Sequence, residues 1–245
     1  MFENLLLLVT GLIGGFVGAQ AGGGALIILP VLLFYGLTPL QAIGAIVFSG
    51  VFLNIGAASG YWKTHKPDLK LIIPIGMVGA LGSVIGAYAV NNVASTSLSK
   101  IAGLLLLIPI ALLLLNKNKL QNKAVHTSTV GLIVGTIAAF IAGLYGGFLS
   151  ISSTTLFVLL FAMCFRRTMV QAAADAVTAT IIFSTATLVV FIYYGTILYA
   201  LAIPLAIGSA VGSVIGARTA VAIGDRWIKV ILIVITLAAI AKLLL

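Results

Sequence analysis

Long apolar stretches, cut by glycine, proline and short polar clusters, run from one end of the chain to the other. Breaking the sequence at those interruptions gives ten apolar segments, five in each half. They are 4 to 20, 24 to 35, 39 to 61, 70 to 91 and 98 to 115, then 127 to 146, 151 to 165, 168 to 194, 197 to 219 and 227 to 245. Most approach the roughly 20 residues that a helix needs to cross a hydrocarbon core of about 30 Å. Stretches such as 104 to 115 and 228 to 245 are apolar on every side. A membrane β-strand would instead alternate apolar and polar residues, so the pattern predicts an all-α membrane bundle of eight to ten segments. The second segment of each half is short. A dozen residues at about 1.5 Å each extend roughly 18 Å, too little for a straight crossing, which predicts broken or re-entrant helices.

The pattern is also written twice. Gly82-Ser83-Val84-Ile85-Gly86-Ala87 returns unchanged as Gly212-Ser213-Val214-Ile215-Gly216-Ala217, 130 residues later. The same offset carries Pro74 onto Pro204 and Gln41-Ala42 onto Gln171-Ala172. Residues 1–120 are therefore expected to form a first repeat and 127–245 a second, within one transmembrane domain. Duplication of this kind recurs in secondary transporters, whose substrate site lies where the halves meet. The Gly82/Gly86 and Gly208/Gly212/Gly216 spacings put small residues on one helix face, which predicts close packing between the halves.

Composition agrees: 62% of residues are hydrophobic and 7% charged, with a mean hydropathy of +1.30. The net charge of +9 would suggest nucleic acid in a soluble protein. Here the basic residues sit in gaps between apolar runs, where they orient a membrane chain, and nucleic-acid binding is not expected. The clusters are Lys63/Lys66/Lys70, Lys117/Lys119/Lys123, Arg166/Arg167 and Arg218/Arg226/Lys229. All four fall on one face if each half makes an odd number of net crossings. That choice places the basic loops in the cytoplasm and both termini outside, and it turns the second repeat upside down relative to the first. The start of the chain lacks a basic n-region and a cleavage site, so its first apolar run is expected to be a retained helix. Cys164 is expected to be a buried, inert thiol. Tyr61, Trp62, Tyr193, Tyr194 and Trp227 sit at segment ends as interfacial anchors, and His65 and His126 are expected at the surface, with no metal site or cofactor.

The candidate chemistry lies at the breaks. Gly18-Ala19-Gln20-Ala21-Gly22-Gly23-Gly24 interrupts an apolar stretch, and Pro30 follows. Three consecutive glycines disfavour helix by up to about 1 kcal/mol each relative to alanine. The break exposes backbone amides at the start of a short helix, whose partial positive charge favours an anion. The counterpart is Gly143-Leu144-Tyr145-Gly146-Gly147, leading into Ser150, Ser152, Ser153, Thr154 and Thr155. Two such N-termini converging from opposite sides would bind a small anion without a buried lysine or arginine; the competing role for these glycines is helix packing. Candidate binding residues are therefore Gln20, Gly22, Gly23, Gly24, Tyr145, Gly146, Gly147, Ser150, Ser152 and Ser153, together with Gln41, Asn54 and Gln171 on the following helices. Gln41 and Gln171 could equally be caps at helix starts. Ser49, Thr178, Thr180 and Ser184 either line a pathway or bond to neighbouring helices.

Asp175 lies eight residues past Arg167, about 12 Å into its helix. An ionised carboxylate near the bilayer centre costs about 2.5 to 3.5 kcal/mol, so it is kept for a reason. It is either a proton-coupling group or a structural partner for Arg166, Arg167 or Arg218. The repeat places Ala45 opposite it. An enzyme would need a nucleophile with a base, paired aspartates or a metal cluster at depth, and the four acidic residues offer none of these. A passive anion channel and a non-transporting scaffold remain as rivals to a transporter.

The Gly18 to Gly24 motif with Pro30, its second copy from Gly143, the Gln41-Ala42 and Gln171-Ala172 openings, and the Pro74/Gly82/Gly86 and Pro204/Gly212/Gly216 helices together resemble the TauE/SafE sulfite exporter family of membrane permeases. The resemblance covers essentially the whole chain. It implies an inner-membrane transporter, an exporter or importer of small anions such as sulfite, sulfoacetate or other sulfonates, driven by an ion gradient. Expected partners are that anion, the lipid bilayer and protons, with a monomer or homodimer as the assembly.

Overall fold

The computed structural model describes residues 2–93, 129–151 and 153–224. Eight helices account for most of them: α1 (Phe2–Ala21), α2 (Gly24–Phe34), α3 (Pro39–Tyr61), α4 (Leu69–Asn91), α5 (Thr129–Leu149), α6 (Ser153–Cys164), α7 (Met169–Tyr193) and α8 (Tyr199–Ile223). No strand occurs among the described residues, as the apolar pattern predicts. Six helices, α1, α3, α4, α5, α7 and α8, are long and apolar enough to cross a membrane. The remaining two, α2 and α6, have 11 and 12 residues. The expected segments 98 to 115 and 227 to 245 lie outside the described residues.

Local chemistry sets the helix starts. Thr38 caps α3 by accepting from the Gln41 amide at 3.3 Å, while Gln41 Oε1 accepts from the Thr38 amide at 3.1 Å. Thr168 and Gln171 repeat this reciprocal capping box on α7, at 3.3 and 3.2 Å. Pro39 opens α3 at a position where its missing N–H costs nothing. Pro30, Pro74 and Pro204 lie inside helices, which membrane bundles tolerate because the freed carbonyls are covered by protein.

The repeated glycines fix how the helices pack. A Cβ on Gly82 or Gly86 would collide with the carbonyl oxygens of Phe140 and Leu144, and one on Gly212 or Gly216 would collide with those of Leu12 and Phe16. Gly143 presses on Gly79 and Gly15 on Ser209 in the same reciprocal way. Each half thus packs its first helix on the last described helix of the other, α1 on α8 and α5 on α4. Residue numbers rise together along both contacts, so both pairs are parallel. Gly56 against Ala210 and Gly60 against Val214 make α3 parallel to α8, and Gly76 against Ala179 with Ser83 Oγ donating to Phe183 O makes α4 parallel to α7. By contrast α3 runs antiparallel to α7, since Trp62 meets Thr178 while Gly44 meets Thr196. It follows that α1, α3 and α8 run one way and α4, α5 and α7 the other. The hexapeptide is a packing surface between halves, as its spacing predicts.

Charge gathers at one end of this bundle. The α3–α4 loop carries Lys63, Lys66 and Asp68, and it meets the α6–α7 turn through Arg167 Nη2, 3.5 Å from Asp68 Oδ2. Gly60 places the backbone of Arg218 at the same end. Three of the four basic clusters therefore share one end in whole or part; Lys117/Lys119/Lys123, with Arg226 and Lys229, lie outside the described residues.

Overpacking against a backbone costs about 1–3 kcal/mol. Gly86→Ala and Gly216→Ala should therefore lower the melting temperature in detergent by similar amounts, because they occupy equivalent contacts. Gly50→Ala, where a Cβ meets nothing within 4 Å, should leave it unchanged.

Candidate functional site

The two helix breaks are brought face to face. At the first, Gly22 turns the chain with φ +78°, and its amide still donates to Gly18 O at 2.8 Å. At the second, Ser150 takes the left-handed conformation with φ 55°, and its amide donates to Gly146 O at 2.8 Å. A side chain on Gly22 would strike Thr154 and Thr155, so the first turn sits directly on the opening of α6. From these turns α2 folds back along α1, with Gly24 against Gly14 and Gly18, and α6 folds back along α5, with Ser153 against Gly146. The end of α6 leads to Arg166 and Arg167 at the basic end, while α2 leads to the other. Each short helix therefore points its N-terminus, with its unspent N–H groups, towards the interior from opposite ends.

A cavity of about 50 Å³ lies at this meeting point. At about 10–15 Å³ per water it holds a few waters or one small polyatomic ion. Gly18, Gly22, Gly24 and Ala25 line it from the first break, and Ser150, Ser153 and Thr154 from the second. Mid-helix residues complete it: Ser49, Gly50 and Asn54 on α3, Ser184 and Thr187 on α7, with Ile28, Ile46, Val47, Leu53 and Phe183 as apolar wall. None of the lining side chains is ionisable. Asn54 is 5% exposed, and its Oδ1 has no hydrogen-bond partner among the described residues.

Of the candidate binding residues, Gly22, Gly24, Asn54, Ser150 and Ser153 meet in the cavity, joined there by Gly18, Ser49, Thr154 and Ser184 from the motifs and pathway positions singled out beside them. The other binding candidates do not line it. Gly23 is the N-cap of α2, and Gln20 is buried in the last turn of α1. Gly146 and Gly147 are packing positions, against Ser153 and the Ser83 backbone. Tyr145 is buried away from the lining, with a hydroxyl that has no partner among the described residues. Ser152 lies outside the described residues. Gln41 and Gln171 spend their side chains on the capping boxes, so their assignment to binding is corrected to helix capping. Gly50 and Thr187 escaped sequence reasoning. Ser184 had a signal, since the 130-residue offset maps Asn54 onto it.

Asp175 is wholly buried but does not line the cavity. It sits at the basic end, where His65 Nε2 lies 3.2 Å from Oδ1 and Arg167 Nε 3.0 Å from Oδ2. The Arg167 contact is a close ion pair outside hydrogen-bond angles. Arg167 thus bridges Asp175 and Asp68, and Trp62 Nε1 donates to Thr178 Oγ1 at 3.1 Å beside them. His65 is consequently not the surface residue expected from its loop: the α3–α4 connection folds over the start of α7 and carries the imidazole onto the carboxylate.

Six helices of spanning length among the described residues, around a small cavity lined by no ionisable side chain, are those of a multi-pass membrane protein. Residues 7–243 match the family described as "Sulfite exporter TauE/SafE", and the chain belongs to this family of membrane transporters. It is 27% identical to the "Probable membrane transporter protein ORF9" of Sinorhizobium sp., over 97% of this chain and 91% of that protein. The "Probable membrane transporter protein YfcA" of Escherichia coli K12 is 26% identical over 98% of this chain and 88% of its own length. The "Probable membrane transporter protein YunE" of Bacillus subtilis is 33% identical over 63% of this chain and 65% of its own. No solved structure matches the chain.

Because Gly50 lines the cavity and has open space at its Cβ position, Gly50→Val should fill the cavity without disturbing the fold. The expected result is an unchanged detergent melting temperature with loss of ligand-induced stabilisation, read in the same thermal-shift experiment.

Proposed function

We propose that this protein is a secondary transporter of a small anion, held between the N-termini of α2 and α6 and released alternately to the two sides of the cell membrane. The observation that carries the reading is the convergence of two broken-helix N-termini on one cavity that no charged side chain lines. Each N-terminus is equivalent to about half a positive charge, so together they suit roughly one negative charge. The family description directs the choice of anion to sulfite and small sulfonates, and the cavity size favours the smaller of these.

Alternating access follows from the opposed halves. In inverted-repeat transporters one half rocks against the other around a fixed site. The reciprocal glycine contacts supply two equivalent rigid seams, and the two ends are held differently. The basic end is tied by His65, Asp175, Arg167 and Asp68. The opposite end, where Ala45 is the counterpart of Asp175, relies on close packing of Gly44 against Thr196. Placing the basic end in the cytoplasm satisfies the positive-inside rule and puts the start of α1 outside. In this reading Asp175 is the centre of a lock rather than a proton carrier.

Purified protein should be stabilised against heat by sulfite or a small sulfonate, and no stabilisation by any small anion would remove the basis of the reading. In proteoliposomes flux should be slow and saturable, whereas electrodiffusive current would make the protein a channel. Asp175→Asn should lower thermal stability by several degrees while leaving any proton dependence of flux intact; loss of that dependence would return Asp175 to a coupling role.

A further inference from the structure

Tyr61 ends α3, a place that suggests an interfacial anchor, yet it is wholly buried. Its phenol donates to Ala19 O on α1 at 3.0 Å. Ala19 lies in the last turn of α1, three residues before the Gly22 turn, among the carbonyls that an ending helix leaves without a partner of its own. Gly18 and Gly22, which flank it, both line the cavity, so the phenol holds the broken end of α1 at the cavity wall. The main chain of the same residue is bonded into the basic end. Tyr61 O accepts from the amides of Thr64 at 3.0 Å and His65 at 2.9 Å, and from Thr64 Oγ1 at 3.2 Å. Those bonds shape the turn that carries His65 to Asp175, and Trp62, next in the chain, donates to Thr178 on α7. One residue is therefore tied to the lock through its backbone and to the site through its side chain. The repeat supplies a contrast. The 130-residue offset takes Tyr61 to Phe191, equally buried and with a carbonyl that accepts from the Thr196 amide at 3.3 Å, but with no hydroxyl to offer the second break.

We infer that Tyr61 is a positioning residue that couples the anion site to the lock at the basic end. The inference rests on the small-anion reading above and deepens it. Distance makes such a link necessary: Asp175 precedes the cavity residue Ser184 by nine residues, about 13 Å along α7, so the ion pairs lie beyond contact with an anion there. Tyr61 follows the cavity residue Asn54 by seven residues, about 10 Å along α3, and its side chain bridges from there to α1. When His65 and Trp62 leave α7, the end of α3 moves, and the phenol passes that movement to Ala19 and the Gly22 turn. The site loses its shape as the basic end opens. By reciprocity, an anion that holds the Gly22 turn in place favours the closed lock by the same factor. The opposite end, where Phe191 stands, has no phenol to pass its movement to the Ser150 turn.

Trp62 is the reporter. The chain has two tryptophans, so in the full chain carrying Trp227→Phe the emission comes from Trp62 alone, beside Tyr61 and bonded to α7. Sulfite and methanesulfonate are titrated into this purified protein, and heat and emission are read on the same samples. An anion that binds should change the emission saturably, with the half-point that its heat gives. Tyr61→Phe, which removes a single oxygen, should still bind the anion but lose most of the emission change. His65→Ala, which loosens the lock, should weaken the anion about fivefold when Tyr61 is present and under about twofold in Tyr61→Phe, a coupling at the lower end of the usual range between sites. Binding heat without an emission change, an emission change that survives Tyr61→Phe, or an equal effect of His65→Ala in both backgrounds overturns the inference and leaves the small-anion reading standing. Absence of heat with both anions removes that reading and the inference with it. Should Tyr61→Phe fail to fold, the emission change and the His65→Ala effect with Tyr61 in place decide alone, and the lack of either overturns the coupling.

Discussion

A helix interrupted inside a membrane frees backbone groups that no water can reach, and such a break survives only where protein covers it. In this chain each of two breaks is covered by the other. The Gly22 turn lies on the opening residues of α6, and both turns border the same cavity. The site and the stability of the breaks are therefore one arrangement: separating the two short helices would expose both sets of amides. That mutual cover also explains why the first turn needs glycine, whose left-handed conformation and missing Cβ let Thr155 approach.

The two halves meet this constraint with different chemistry. Gly22 in the first corresponds to Ser150 in the second, and both take a positive φ. Serine accepts some backbone strain there and adds a hydroxyl that bonds back to Gly146. Gly36 and Arg166 repeat the contrast at the next turn, glycine in the first half and a charged residue in the second. The second half brings most of the cavity's hydroxyls, at Ser150, Ser153, Thr154, Ser184 and Thr187, while the first brings Ser49, Asn54 and the glycines of close backbone approach. These substitutions make the two breaks chemically different.

Much of the architecture is written in the sequence, because breaks, caps and small-residue faces are local. The short segments and the packing role of the hexapeptide both follow from residue type and spacing. Which face of a helix turns inward is a different matter. A soluble helix announces its buried side by a polar opposite side, but lipid is as apolar as the protein interior. Tyr145 and Gly147 therefore read as site residues when they pack, and Thr187 passed unnoticed. The capping glutamines show a second limit: a polar residue repeated at a helix start has two functions with the same spacing. His65 shows a third, since its bond to Asp175 joins residues 110 positions apart across a loop whose path no local pattern states.

The pairing of α1 with α8 has a consequence for how the chain is made. Leu8 of α1 packs on Gly208 of α8, which the ribosome reaches 200 residues later. At about 5–20 residues per second, α1 waits roughly 10–40 s in the bilayer before its permanent neighbour arrives. During that interval its flat glycine face is open to lipid and to any other helix with a matching groove. Helices α4 and α5, whose contacting residues lie much closer in sequence, meet sooner, so their seam should form before that of α1 and α8.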